Sequence, residues 1–448
     1  MAENQVKCPK CGATDIEQRG GILVCNFCRH EFKPTAVNAA AGDEIFELIG
    51  DHISEKTEDI NKEAEAMVTL KCQSCGAEVV VDTDSSTQAR CHWCRNMLSI
   101  NDKLENGAVP DMILPFKMQK GEAQNIMENY VNRHKFFAPK QFKEEFNSEN
   151  VMGVYFPYLD VDANTHATFE GSGEILVRRY TVKHGDSEET RYDADLYEIK
   201  RELDCGVDDL IVESSLKRMD GSKSETNNII NTILPFDTEN CVDYDSNYLR
   251  GFTSERRDVN VGDMDNVVNA QIKDIVRHQA NETAKQYDRG ICWDRENVDI
   301  KGRLFKSMYL PVWLYSYFEQ KTGMLHYVAV NARTSETMGS IPINKAKLLT
   351  VTMILEVLGA IIGVLCVLGL GFEHGVFGFL ALLIGIFFHI AQVKRYRNAD
   401  ERHYHERETR ALVRNVQKYD NLIKHEKRLS NARYSRENAN RVEGVIIK

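Results

Sequence analysis

The chain has 448 residues, 42% hydrophobic and 27% charged, which excludes a disordered chain, a collagen and a small disulfide scaffold. Its length predicts two to four domains. Lys and Arg number 56 against 67 Asp and Glu, and the net charge of −11 argues against a general coater of nucleic acid. The charge is uneven: residues 394–448 carry a net +7, leaving −18 for the first 393. An acidic body with a basic tail predicts that the two ends meet different partners.

The opening MAENQVKCPKCG has no apolar run, so no secretory leader is expected. Residues 1–36 carry Cys8-Pro-Lys-Cys11-Gly12 and, 13 residues later, Cys25-Asn-Phe-Cys28. Residues 70–104 repeat the pattern as Cys72-Gln-Ser-Cys75-Gly76 and Cys91-His92-Trp93-Cys94, with a 15-residue spacer. Two CxxC turns aim four thiolates at one ion, which predicts two structural four-cysteine Zn²⁺ sites with no position left for water. Iron in a rubredoxin-like site is the chemical rival. Lys7, Lys10, Arg29, Lys71 and Arg95 offset the thiolate charge, and His30 and His92 are expected as exposed knuckle residues. The stretch CPKCGATDIEQRGGILVCNFC resembles the zinc ribbon of general transcription factor B, a fold that meets nucleic acid in some proteins and protein surfaces in others. Between the ribbons, residues 37–69 lack Pro after Thr35 and space Ile45, Leu48, Ile49 and Ile53 for one helical face, predicting an acidic helical spacer.

Residues 105–346 predict an α+β region with mainly antiparallel strands. Ile113-Leu114-Pro115-Phe116 recurs as Ile233-Leu234-Pro235-Phe236, and Val154–Leu159 (VYFPYL) echoes Met308–Leu314 (MYLPVWL), which suggests a diverged duplication. Pro within these runs predicts edge strands or strand starts. Further strands are expected at 165–170, 176–183, 191–203 and 325–331, with a turn at His184-Gly185-Asp186 and helices at 121–135 and 263–287. No Walker loop, GxSxG, HExxH or dinucleotide turn occurs, so no catalytic residues are predicted. Cys205, Cys241 and Cys292 are expected as plain buried thiols, and Asp160 and Asp162 as one solvent-facing side of a strand. Tyr155, Phe156, Tyr158, Trp313, Tyr315, Tyr317 and Phe318 are expected in the sheet core.

Residues 347–393 predict a transmembrane hairpin. The apolar stretches 348–371 and 375–393 would reach about 29–36 Å as helices, against a hydrocarbon core of about 30 Å. Lys345 and Lys347 flank one side, and Lys394, Arg395 and Arg397 the other, so the positive-inside rule puts both large ends in the cytoplasm. Gly359 and Gly363 form a GxxxG that can meet the second span or a second copy of the chain, a homo-oligomer reading. Glu356 and His389 come within reach of each other as a structural pair. In the tail, 394–448, the 4-3-4 spacing of Leu412, Val416, Tyr419 and Ile423 predicts a basic helix for lipid or a partner helix.

The tandem ribbons, the ILPF and YFPYL/YLPVWLY segments, and Val330-Asn331-Ala332-Arg333-Thr334 running to Gly339-Ser340-Ile341-Pro342 together resemble the bacterial membrane-anchored double zinc-ribbon family. That resemblance implies partners of the phage-shock protein A or band-7 (SPFH) and virion-core-like kind, in envelope-stress systems. The expectation is a multidomain, two-span cell-membrane protein without enzymatic activity that recruits partner proteins. A membrane-tethered nucleic-acid binder is the alternative, disfavoured by the acidic surroundings, and an unrecognised enzyme or transporter using Asp160 or Glu356 is a third reading.

Overall fold

A computed structural model describes residues 6–37, 42–54, 57, 67–82, 89–98, 103–104, 110–147, 150–184, 187–214, 233–257, 259–319, 324–339, 341–370, 384–396 and 416–434. Strands β1 (Ile16–Arg19), β2 (Ile22–Cys25) and β3 (Glu31–Phe32) form a small antiparallel sheet. The remaining thirteen described strands join one large sheet. Its short members are β4 (Gly50–Ile53), β5 (Met67–Lys71), β6 (Glu78–Asp82), β7 (Lys103–Leu104) and β8 (Met112–Ile113). Helices α1 (Lys120–His134) and α2 (Lys140–Glu145) precede two long strands, β9 (Met152–His184) and β10 (Ser187–Glu213). Then come β11 (Val242–Asp243), β12 (Thr253–Glu255), α3 (Val261–Glu282), β13 (Ile291–Glu319), β14 (Met324–Asn331) and β15 (Thr337–Gly339). The apolar helices α4 (Lys345–Leu370) and α5 (Ile384–Tyr396) separate these from the last strand, β16 (Val416–Tyr434).

Three antiparallel strands make the spine: β9 lies between β10 and β13. At about 3.3 Å per residue, the 33 residues of β9 give roughly 110 Å of contour. Of the expected short strands, 165–170 and 176–183 are pieces of β9 and 191–203 is a piece of β10, while 325–331 stands by itself as β14. Gly171 and Gly173, between two of the expected strands, sit inside β9, where a Cβ at Gly171 would strike the carbonyl of Cys292 and one at Gly173 the ring of Tyr287. The expected turn is bracketed by the pair His184 and Ser187, with residues 185–186 outside the described set. Helix α3 presents Val261, Met264, Val268, Ile272, Val276 and Ala280 at helical spacing to Leu159, Val161, Ala163 and Phe169 of β9 and to Phe305 of β13. Burying each large side chain of this stripe contributes about 1.5–3 kcal/mol.

The repeated motifs find each other. Leu310 pairs with Phe156, Tyr309 with Pro157 and Pro311 with Tyr155. Both prolines lie in the sheet interior, contrary to the edge-strand expectation. Each occupies a gap on its strand's other side: β9 changes partner from β12 (at Tyr155) to β10 (from Tyr158), and β13 from β8 (at Tyr309) to β14 (from Val312). A residue without an N–H costs no ladder bond there. The aromatics fill the core as expected: Tyr155, Phe156, Tyr158 and Tyr315 have no exposed surface, and Trp313 and Tyr317 are buried. The side chain of Phe318 lies outside the described set. Asn331 Nδ2 donates to the carbonyls of Ile233 (2.9 Å) and Pro235 (2.8 Å), while Arg333 Nη1 donates to that of Pro115 (3.1 Å), so one turn holds both ILPF segments.

Four expectations are corrected. Over residues 42–53 the spacer is not an α-helix: a short 3-10 helix (Gly42–Glu47) leads into β4, which pairs in parallel with Gly302–Phe305 of β13, while residues 55–56 and 58–66 lie outside the described set. Ile45 is buried there but Ile49 is exposed. The absence of a side chain at Gly302 lets Leu48 and Ile49 approach, and Arg303 binds Asp51 at 2.8 Å, so pairing to the sheet outcompetes a helix with one weak apolar face. Over residues 416–434 the tail is a strand, not a helix: β16 runs antiparallel along β10 from Tyr192↔Tyr434 to Val207↔Val416. That stretch of β10 carries Asp193, Asp195, Glu198, Glu202 and Asp204, to which β16 brings Lys424, Lys427 and Arg428. Arg428 reaches Asp195 at 2.7 Å, and Arg201 binds Glu426. Tyr419 and Ile423 lie exposed on β16 rather than along one face of a helix, and Leu412 lies outside the described residues.

The third correction concerns the side-chain pair expected inside the hairpin, of which one span is shown. Among the described residues only Lys345–Leu365, within α4, is long and apolar enough to cross a membrane. The 13 residues of α5 reach about 20 Å, short of a 30 Å core, and 371–383 lie outside the described set. Glu356 and His389 do not pair: Thr352 Oγ1 meets His389 Nδ1 at 3.0 Å, while Glu356 lies against Gly385. Gly359 and Gly363 are buried within the chain. Fourth, Asp160 and Asp162 are buried, 1% and 2% exposed, rather than facing solvent.

Candidate metal centres

Each ribbon is built from two knuckles with the same backbone. In the first, Gly12 N–H donates to Cys8 carbonyl (2.8 Å) and Cys8 N–H to Ala13 carbonyl (2.9 Å); Arg29 N–H to Cys25 (2.9 Å) and Cys25 N–H to His30 (3.0 Å) repeat it. The second ribbon has Gly76 to Cys72 (2.8 Å) and Arg95 to Cys91 (2.8 Å). All four residues after the second cysteine adopt left-handed φ: Gly12 +74°, Gly76 +75°, Arg29 +57° and Arg95 +64°. Glycine is free there, whereas Arg29 and Arg95 hold a conformation disfavoured for side chains, fixed by those N–H bonds.

The thiols converge. Cys8 and Cys28 sulfurs are 3.6 Å apart, as are those of Cys11 and Cys25; Cys72–Cys94 is 3.3 Å and Cys75–Cys91 3.5 Å. Within each group all four sulfurs lie within 4.8 Å of one another. A tetrahedral ion with metal–sulfur bonds of about 2.3 Å spaces its sulfurs by about 3.8 Å, so both groups fit a four-thiolate site and are consistent with zinc. A hydrogen bond from Cys91 brings the Cys75 thiol down to about 5, against the rise that burial causes. Cys91 is pushed up in turn by the same bond. Burial acts to raise Cys8, but the N–H groups of Lys10 and Cys11 outweigh it and hold that thiol at about 7. One thiolate in each group thus forms readily. Filled four-cysteine shells leave no place for substrate or water, which makes these sites structural in chemistry.

The ribbons are seated differently. The first leans on the body through Ile16 and Leu23, through Gln18 Nε2 donating to Phe116 carbonyl (2.8 Å), and through Asp15 with Arg250. Its closing knuckle stays outside, with Phe27 81% exposed. The second has its closing knuckle inside the core. His92, expected at the surface, is 1% exposed, with Nε2 3.1 Å from Glu255 Oε1; Trp93 Nε1 donates to the same oxygen. Trp93 packs edge-on against Phe156 and Tyr327, and Ser316 Oγ donates to His92 carbonyl (2.6 Å). Glu255 escaped the sequence reading because it is 163 residues from His92 and belongs to no motif. Cys205 and Cys241 are fully buried thiols, Cys205 pushed up to about 12 by burial, and Cys292 is half-buried.

At the base of the apolar helices, the corner between α1 and α2 gathers contacts from both. Lys347 lies 3.9 Å from the Phe136 ring centre and donates to Phe136 carbonyl (2.7 Å). Arg395 Nη2 donates to Arg133 carbonyl (3.0 Å), and the Tyr396 hydroxyl to His134 carbonyl.

No family description and no solved structure matches the chain. A Bacillus subtilis (strain 168) protein, described as uncharacterized protein YdjG, is 22% identical over 251 residues, covering 55% of this chain and 67% of that protein.

Proposed function

We propose that this protein is a non-enzymatic membrane-anchored adapter, with Zn²⁺ filling both four-cysteine sites and the folded body recruiting partner proteins at the cytoplasmic face of a bacterial membrane. The observation that carries the reading is the surface of α4. Only 22% of its apolar window is buried, and Leu349, Met353, Ile354, Val357, Leu358, Ile361, Ile362, Leu365 and Leu368 are exposed. A core helix would bury such a surface; a bilayer covers it.

The hairpin reading is supported by the shared corner. The first residues of α4 and the last of α5 attach to the same few residues, 133–137, which favours a chain that leaves and returns on one side of the bilayer. Lys347, Arg395, Arg133 and Lys135 gather there around exposed Phe136, a basic and aromatic collar suited to an anionic cytoplasmic leaflet. Anchoring raises the local concentration of whatever the body binds. The first ribbon, with Phe27 free, supplies the docking surface in this reading. The resemblance to double zinc-ribbon membrane proteins makes the partner a phage-shock protein A-like or SPFH-like protein.

The test is affinity purification of the full chain from gently solubilised membranes, beside the Phe27→Ser variant. Recovery with the membrane fraction, with a protein of that kind enriched at least tenfold by the parent chain and lost by the variant, is the expected result. Recovery of salt-sensitive DNA or RNA in its place would favour a tethered nucleic-acid binder.

A further inference from the structure

A third group of ligand-type side chains lies away from the ribbons, where β10 is irregular. From Ala194↔Leu176 the pairing of β10 with β9 runs regularly to Val207↔Ala163 and resumes at Leu210↔Val161, so Asp208 and Asp209 are bulged out opposite Asp162. Bulges re-aim side chains, and here Asp209 takes φ +55°. Its N–H donates to Asp162 Oδ1 (3.0 Å), and Thr238 Oγ1 donates to Asp209 Oδ2 (2.7 Å). Asp160 and Asp162 continue the face of β9 that carries Phe156 and Tyr158. Lys306, the β13 partner of Asp160 in register, sends its ammonium to Asp162 Oδ2 (3.4 Å) instead. One carboxylate oxygen from each of Asp160, Asp162 and Asp209 lies within 4.8 Å of the other two.

A separate observation points to a missing ligand. Asp160 is 1% exposed, yet neither of its oxygens accepts a hydrogen bond among the described residues. A buried carboxylate left bare is costly unless something positive meets it. Lys306 is close enough to serve and is already committed to Asp162.

We propose that Asp160, Asp162 and Asp209 bind one divalent cation of the hard, oxygen-preferring class, Mg²⁺, Mn²⁺ or Ca²⁺, at the β10 bulge. Metal–oxygen bonds of about 2.1–2.4 Å set neighbouring ligand oxygens about 3.0–3.4 Å apart and opposite ones at most about 4.8 Å, and the three carboxylate oxygens, all within 4.8 Å of one another, fall inside that upper limit. The charges also balance, since three carboxylates are neutralised by one divalent ion together with Lys306. Asp209 is half-buried, so the ion reaches the two buried carboxylates past it. All-oxygen donors select a different metal from the thiolate groups, so one chain can hold both kinds without exchange.

The experiment uses the full chain in detergent, purified without chelator and titrated with Mn²⁺ while free ion is followed by electron paramagnetic resonance. The expected result is one Mn²⁺ per chain, displaced by Mg²⁺ or Ca²⁺, with affinity reduced at least tenfold in Asp160→Asn and in Asp162→Asn. Asp274→Asn, at an exposed position on α3, should bind like the parent chain. Elution volume and zinc content report whether each variant has folded. Should the buried variants misfold, Asp209→Asn carries the same expectation at the half-exposed ligand. No Mn²⁺ bound by the parent chain, or binding that survives in folded Asp160→Asn or Asp209→Asn, would overturn the proposal.

Discussion

Asn26-Phe27 and His92-Trp93 occupy equivalent places between paired cysteines, and only their surroundings separate a free knuckle from a buried one. Glu255 makes the difference, because one oxygen accepts from Trp93 and faces His92. Glu255→Ala removes that shared acceptor from both buried groups, so we expect a loss of about 1–3 kcal/mol in denaturant unfolding while zinc content stays at two per chain. Cys72→Ser and Cys8→Ser should each drop to one zinc, with the larger fall in stability for Cys72→Ser, whose ribbon shares the sheet core. Asp204 gives a pH prediction. Partial burial raises it, but the amide of Asn421, His166 and Lys301 outweigh that and hold its carboxyl at about 2. A carboxyl depressed from about 3.9 stabilises the fold above that pH, and the contribution fades as pH falls toward 2. The urea midpoints of the parent chain and Asp204→Asn should therefore differ at neutral pH and converge near pH 2. The cysteines were legible because their spacing is local; Glu255 and Asp209 were not, since their roles depend on strands brought together from distant parts of the chain.

Helices α1 and α3 stand within a few residues of where periodicity put them, because each has a single buried stripe against a sheet. The tail misled for an equally physical reason. A 4-3-4 apolar spacing over few residues is compatible with a helix, but the acidic, otherwise open side of β10 offers a basic segment both backbone bonds and opposite charge. A chain ending after residue 415 should leave residues 192–207 with faster amide exchange, by at least tenfold in hydrogen-exchange mass spectrometry, while α3 keeps its protection. The long strands were hidden by their own glycines, which serve close approach in β9 rather than turns.

Across the whole molecule, the acidic body and basic tail predicted two different partners; over the described residues, the tail's partner is the body itself. The ribbons, sheet and α+β character were readable as parts, while the arrangement that sinks one ribbon into the sheet and leaves the other's knuckle free was not. That same clasp of β16 on β10 has a consequence for biosynthesis. The two strands are separated in sequence by α4 and α5, so the ribosome delivers β16 on the order of 10–50 s after β10. During that interval the apolar helices emerge while the acidic side of β10 is still open, and the sheet acquires its final strand only after both apolar helices have been made.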